Sequence, residues 1–244
     1  MSIASSRYLY HLSRFGFAFV LLSLLLLQPS LAQADEIAVW NFNDSDLTVD
    51  HGNGALTTNF NLVNIVFTLG GSTINARLGD AAGQSMTLQG GTGNANNGRN
   101  LILSVGTVGF SNIIVSFAIQ GTSTGFTSNQ FQYSLDGATF VDFGAPYTPP
   151  TSFALFTFDL SSIGGLNNNP DAAFRIIFNG ATSASGNNRI DNIVVEGSAT
   201  TTTVPEPASI LLLGMGLTFG GGWIRRHRRL GGLAKATVSR RGPR

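Results

Sequence analysis

The chain has no cysteine, which rules out disulfides, thiol catalysis and cysteine metal centres. Lysine is missing from Asp35 to Val204, where twelve acids face only Arg77, Arg99, Arg175 and Arg189. Twelve against four leaves this stretch at −8, although the whole chain carries +1 because the other ten bases lie in its two terminal segments. So acidic a body repels nucleic acid and anionic lipid surfaces, and neither is expected as a partner. Histidine is equally scarce. The body holds only His51, in DHGNG, so a Ser-His-Asp triad would have to be built on a residue that nothing nearby marks; the simpler reading is a solvated loop histidine. Glutamate occurs in the body only as Glu36 and Glu196, near its opposite ends. Two-carboxylate glycosidase chemistry stays formally open, but no catalytic pair can be chosen. No Gly-rich stretch follows a strand and opens a helix, which leaves nucleotide binding without support.

The body lacks a sustained helical period and is rich in short β-branched and aromatic runs. Ten of them stand between Gly, Asn, Ser and Thr clusters: 37–42, 61–69, 85–89, 100–105, 112–120, 130–135, 138–143, 152–160, 173–179 and 189–197. Several alternate cleanly, with Phe131, Tyr133 and Leu135 on one face and Gln132 and Ser134 on the other, and Phe174, Ile176 and Phe178 in the same manner. Asp136-Gly137 between two such runs is a hairpin signal, because tight turns need positive φ. About ten strands without intervening helices predict an all-β fold, an antiparallel β-sandwich of jelly-roll type. Such a body has a core large enough to stand without disulfides. The polar stretches 90–100 and 165–170 are expected as loops at its ends.

Two acidic features invite a metal reading. NFNDSDLTVD (41–50) resembles a calcium loop, but counting from Asp44 puts Val49 and Ala55 where an EF-hand needs Gly and Glu. Asn and Asp suit a turn on their own account, so a turn leaving the first strand is the plainer reading, with a looser oxygen-ligand site still open. Asp191 lies inside an apolar strand, where a carboxylate needs a partner: Arg189, backbone donors or a metal. Trp40, Tyr133 and Tyr147 are the aromatics available for a sugar platform, while strand phenylalanines are expected in the core.

Both ends differ from the body. Residues 1–34 read as a signal peptide and signal helix: Arg7, His11 and Arg14, an apolar run from Phe15 to Leu27, and Ala32-Gln33-Ala34 as the cleavage site. The expected body, 35–197, is followed by a Thr-rich linker at 198–204. Next comes Val204-Pro205-Glu206-Pro207 and an expected transmembrane helix at 208–224, glycine-broken and at the short end for a span. Arg225, Arg226, Arg228 and Arg229 follow at once, which by the positive-inside rule leaves 230–244 as a basic cytoplasmic tail. Gly216 and Gly220 are weak evidence for helix dimerisation in so Gly-rich a run.

Pro-Glu-Pro, apolar segment and arginine cluster, in that order over 205–229, closely resemble the PEP-CTERM sorting signal of Gram-negative bacteria. The resemblance implies export through the Sec translocon, a transient stay in the inner membrane, processing by an exosortase at Pro205, Glu206 and Pro207, and delivery to the outer envelope or extracellular matrix. The prolines fit that role by keeping the motif extended and outside the helix. Residues 230–244 continue where such signals usually stop, which leaves a retained anchor as the alternative. Within the body, FQYSLDGATFVDFG and the stretch ending RIDNIVVEG resemble galactose-binding-type jelly rolls. In calcium-containing relatives an acid near the first strand and an Asp in the last hold a structural ion, and that resemblance points to Glu36 and Asp191 as the metal candidates. The functional expectation is a secreted, non-enzymatic sandwich associated with exopolysaccharide. A carbohydrate-binding module and a small glycoside hydrolase or lyase are the alternatives.

Overall fold

The computed structural model describes residues 34–200. The signal segment with Ala32, the linker from 201, the Pro-Glu-Pro motif, the apolar segment and the arginine cluster lie outside the described residues. Residues 34–200 lie in one compact unit, built of strands whose alternating apolar residues face inward between two antiparallel sheets.

The strands are β1 (Ala34–Trp40), β2 (His51–Gly52), β3 (Ala55–Thr58), β4 (Ile65–Leu69), β5 (Gln84–Gln89) and β6 (Arg99–Ser104), then β7 (Phe110–Gly121), β8 (Ser128–Ser134), β9 (Phe140–Asp142), β10 (Ala154–Asp159), β11 (Ala173–Asn179) and β12 (Asn187–Ala199). One sheet runs β10-β7-β12-β1-β2, with β5 added to β12 and β4 to β5; the other runs β3-β6-β11-β8-β9. The expected antiparallel sandwich of jelly-roll type is therefore present. All ten apolar runs contain a strand, but the run at 61–69 opens with a 3₁₀ turn at Leu62–Asn64 and becomes extended only at Ile65. Strands β2 and β3 were not expected. The last strand passes the expected boundary at Gly197 and continues to Ala199, and the Thr200 amide donates to the Gly109 carbonyl at 2.7 Å.

The core follows from alternation. Ile113, Val115, Phe117 and Ile119 of β7 and Ile190, Ile193 and Val195 of β12 meet Leu101, Leu103, Phe131, Phe174, Ile176 and Phe178 of the other sheet, all fully buried. Phe131 stacks on Phe158 with ring centres 3.9 Å apart and planes 9° from parallel. Phe60, Phe126 and Phe178 meet edge to face, at 5.6 to 5.7 Å. Because both inner faces close on each other, the sandwich is a folding unit without disulfides.

The hairpin expected at Asp136-Gly137 forms between β8 and β9. Ser134 pairs with Phe140 and Gln132 with Asp142, so the turn is a five-residue loop, 135–139, rather than a two-residue one. Gly137 takes φ +72, a region that glycine enters without steric cost.

Candidate functional site

Alternation that sends Phe131 and Phe174 inward sends their neighbours to the outer face of the five-stranded sheet. The register lines up one residue from every strand in a single row: Thr57, Ile102, Arg175, Gln132 and Asp142. The Arg175 Nε donates to Gln132 Oε1 at 2.5 Å, and Gln132 Nε2 donates to Asp142 Oδ1 at 2.6 Å. The guanidinium carbon lies 4.0 Å from the centre of the Phe140 ring. Partial burial pulls the Arg175 guanidinium below its ordinary value, and Asp142 works the other way; it stays charged in either case. Two contacts thus hold the guanidinium plane, while among the described residues its terminal nitrogens donate to no protein oxygen. The row presents fixed donors, a carboxylate acceptor and the apolar side chain of Ile102, and its guanidinium lies over the neighbouring Phe140 ring.

Two depressions lie near the β8–β9 loop, the first on the outer face two residues beyond the row, the second on the side of β8 and β9 that faces away from it. One, of about 250 Å³, is lined by Ser104, Gly106, Asp136, Gly137, Asp171 and Ala173. The other, of about 270 Å³, is lined by Tyr133, Leu135, Asp136, Thr139 and Val141. Asp136 lies between them. Its carboxylate accepts from the Thr139 amide at 2.7 Å, the Ala138 amide at 2.9 Å and the Ser134 hydroxyl at 2.9 Å. Those bonds hold it well below the usual carboxylate range.

The opposite outer face, on the larger sheet, is covered by the chain between β4 and β5, a strap over 70–83. Both calcium candidates serve this strap. Arg77 reaches back between the first and last strands: its Nη2 donates to Glu196 at 2.8 Å and its Nε lies 3.4 Å from Glu36. Glu36 and Glu196 are direct cross-strand partners, so a guanidinium occupies the position from which a cation would neutralise both. Asp191 is buried and accepts from the amides of Ser72 at 2.6 Å and Asn192 at 2.9 Å. Burial raises its carboxyl from the ordinary 3.8 to about 7, against the pull of those two amides and of Arg189. Next to it, Asn192 takes φ +48 at a bulge, and its amide donates to the carbonyls of Ser72 and Ile74. Glu196 is five residue steps along β12 from Asp191, about 16 Å at the usual strand rise. Glu36 and Asp191 are therefore not brought together as ligands of one ion. Among the described residues no three acidic or histidine side chains form a metal-ligand group.

The remaining candidates divide as follows. NFNDSDLTVD is a turn: Asp50 accepts from the Asn41 amide at 2.7 Å, and Asn41 donates to Asp80 at 3.0 Å. His51 Nε2 lies 3.8 Å from Asp80, and among the described residues no hydroxyl is hydrogen-bonded to it. Of the expected sugar-platform aromatics, Trp40 is buried in the core, donating to the Leu47 carbonyl at 3.2 Å. Tyr147 is plugged against Phe156 at 4.7 Å, with burial pushing its hydroxyl up. Tyr133 alone borders a depression. The aromatic beside the outer row is Phe140, which pairs with Ser134, and nothing in the local sequence marks Gln132, Asp142 or Arg175 as site residues. The alternation of Gln132 and Ser134 against Phe131 points that face outward, but its assembly depends on register across five strands.

Residues 203–229 match the PEP-CTERM protein-sorting motif. No curated protein matches the sequence. Among solved structures, the chain is similar to the CBM22-1 xylan-binding domain of Xyn10C from Paenibacillus barcinonensis, at 10% identity and TM-score 0.43, over 70% of this chain and 100% of that one. It is also similar to domain 4 of AbnA, an extracellular arabinanase from Geobacillus stearothermophilus solved with arabinotriose, at 13% identity and TM-score 0.41, over 69% and 95%. A third is TmCBM61, solved with β-1,4-galactotriose, at 9% identity and TM-score 0.38, over 64% and 92%. The order of proline motif, apolar run and arginines is thus identified: the chain carries the PEP-CTERM protein-sorting motif on 203–229, behind an antiparallel β-sandwich of jelly-roll type.

Proposed function

We propose that this is an exported, non-enzymatic envelope or matrix protein whose five-stranded outer face contacts polysaccharide. The observation that carries the reading is the row Arg175–Gln132–Asp142 with Phe140 beneath the guanidinium. Sugars offer vicinal hydroxyls, which pair with a fixed donor fork and a carboxylate, and C–H faces that pack on apolar and aromatic surface. Preorganisation matters here, because a donor already held by Gln132 and Phe140 loses little freedom on binding. The body's charge of −8, with Asp142 acting on the arginine and Asp136 and Asp171 lining the nearby groove, favours a neutral polysaccharide over a polyuronate. The experiment is retention of residues 35–200 on a panel of insoluble neutral glycans, with Arg175→Ala and Phe140→Ala as controls. Retention lost in both variants supports the reading, and no retention on any glycan refutes it.

The hydrolase alternative has one observation to meet, since Asp136 and Asp171 line the same groove. A general acid needs a raised carboxyl, whereas Asp136 is held ionised by its own loop. Turnover of any glycan by purified 35–200 would overturn the non-enzymatic reading. For the sorting segment, exosortase processing after Sec export predicts a mature C-terminus near Pro205, Glu206 and Pro207. Mass spectrometry of the envelope form that finds Arg244 intact would mean a retained anchor.

A further inference from the structure

Strand β4 is an unguarded sheet edge. Among the described residues, its five positions pair only with β5, which leaves its other side free to accept a strand. The remaining edges are short or charged: β2 has two residues, β3 four, and β9 three with Asp142, while β10 carries Asp159. No Asp, Glu, Lys or Arg lies between Asp50 and Arg77 in the chain, and the charge that reaches the strand is the Arg189 guanidinium at its end. Apolar side chains are exposed there as nowhere else on the described surface. Leu62 is 73% exposed, Val63 77% and Leu69 80%, with Val66 also exposed. The strand is also held in place rather than frayed. Arg189 donates to the carbonyls of Thr68 and Leu69 at its end, and Thr68 meets Thr87 hydroxyl to hydroxyl at 2.5 Å.

We infer that β4 is the contact through which two copies of this chain associate, edge to edge and antiparallel. The occupant follows from chemistry. A free strand edge is matched by another extended backbone, which supplies the missing N–H and C=O partners. Two bodies of −8 repel over most of their surface, and the stretch 51–76, which contributes no acid, is where they can approach. The segment is also self-complementary. Antiparallel pairing centred on Phe67 sets Ile65 against Leu69 and Val66 against Thr68 of the second copy, with no charge opposed to a charge. Such a two-fold contact closes on itself and gives a dimer rather than a fibre. It leaves the polysaccharide row, on the other sheet, uncovered in both copies.

The test is sedimentation equilibrium of residues 35–200 from about 1 to 100 μM, the range that resolves micromolar association. The unmodified sandwich is expected to dimerise. Val66→Lys with Thr68→Lys puts lysines opposite one another and is expected to weaken association at least about 100-fold, with circular dichroism and melting temperature unchanged. Leu155→Lys on β10 is expected to leave the dimer intact. The decisive arm mixes the Lys/Lys protein with its Val66→Glu/Thr68→Glu counterpart: each alone is monomeric, and the mixture pairs. A monomer at 100 μM for the unmodified protein overturns the inference. So does a dimer that tolerates the two lysines, or a folded charge-swapped mixture that stays monomeric.

Discussion

Asp191 makes the stability of this sandwich depend on pH in an unusual direction. Its side chain is 1% exposed beneath the strap, and burial raises its carboxyl from 3.8 to about 7. Between those values the folded protein keeps a proton that the unfolded chain has released. Stability is therefore fullest below the unfolded value, falls as pH rises through that window, and levels off above about 7. A shift of about 3 pH units corresponds to up to about 4 kcal/mol lost between pH 4 and pH 7. Asp50, also raised by desolvation, adds to the same slope. Asp136 has the opposite sign but is ionised in both states above the ordinary carboxylate range, so it contributes nothing between pH 5 and 8. The assay is urea unfolding of residues 35–200 at pH 5, 6, 7 and 8, followed by the fluorescence of Trp40, the single tryptophan of that stretch. Stability should fall with pH, and Asp191→Asn should flatten most of the fall. The substitution also removes one acceptor from two backbone amides, at about 1–3 kcal/mol, but that loss is constant with pH and leaves the slope as the readout. Stability that rises from pH 5 to 7, or a slope that survives Asp191→Asn, would refute the argument.

Other outcomes follow from the same contacts. Arg77→Met leaves Glu36 and Glu196 opposed without their shared cation; it should cost about 1–3 kcal/mol in urea unfolding and free the strap to hydrogen exchange at Ser72 and Asn75. Gly52→Ala forces a Cβ to 2.0 Å from the Ile37 carbonyl oxygen at φ +79, so the β1–β2 contact must open and the melting temperature should drop by several degrees. Phe131→Ala empties the ring stacked on Phe158 and should cost about 3–5 kcal/mol by the same unfolding assay. Arg175→Lys keeps the charge but loses the planar fork; glycan retention should fall with the melting temperature held, whereas a purely electrostatic role would leave retention intact.

The strands are legible in the sequence because inward and outward residues alternate. Phe131 and Phe174 set the faces of β8 and β11 by alternation alone, and every apolar run contains a strand. The short pairing at His51–Gly52 and the strand Ala55–Thr58 leave no such trace, since a two-residue bridge and a run of Ala and Thr carry too little apolar signal. Asp191 is marked as costly by its apolar neighbours, and the fold answers with an amide of the strap, 119 residues earlier in the chain, which no local window contains. The outer row is the least legible feature. Arg175, Gln132 and Asp142 come from three strands, and only register places them side by side. Trp40 and Tyr147 mislead for a related reason: an aromatic with a polar residue on one side suits a platform or a plug equally, and packing decides for the plug.

The pairing of Ala34 with Ser198 brings the two ends of the body to the same place. Whatever pulls on the chain beyond Thr200 pulls along β12, the central strand of its sheet, flanked by β7 on one side and β1 and β5 on the other. Ladder hydrogen bonds lie across the strand direction, so a load applied along β12 meets them in shear, many at once, rather than peeling them singly. Attached by its last strand, the sandwich is built to bear tension.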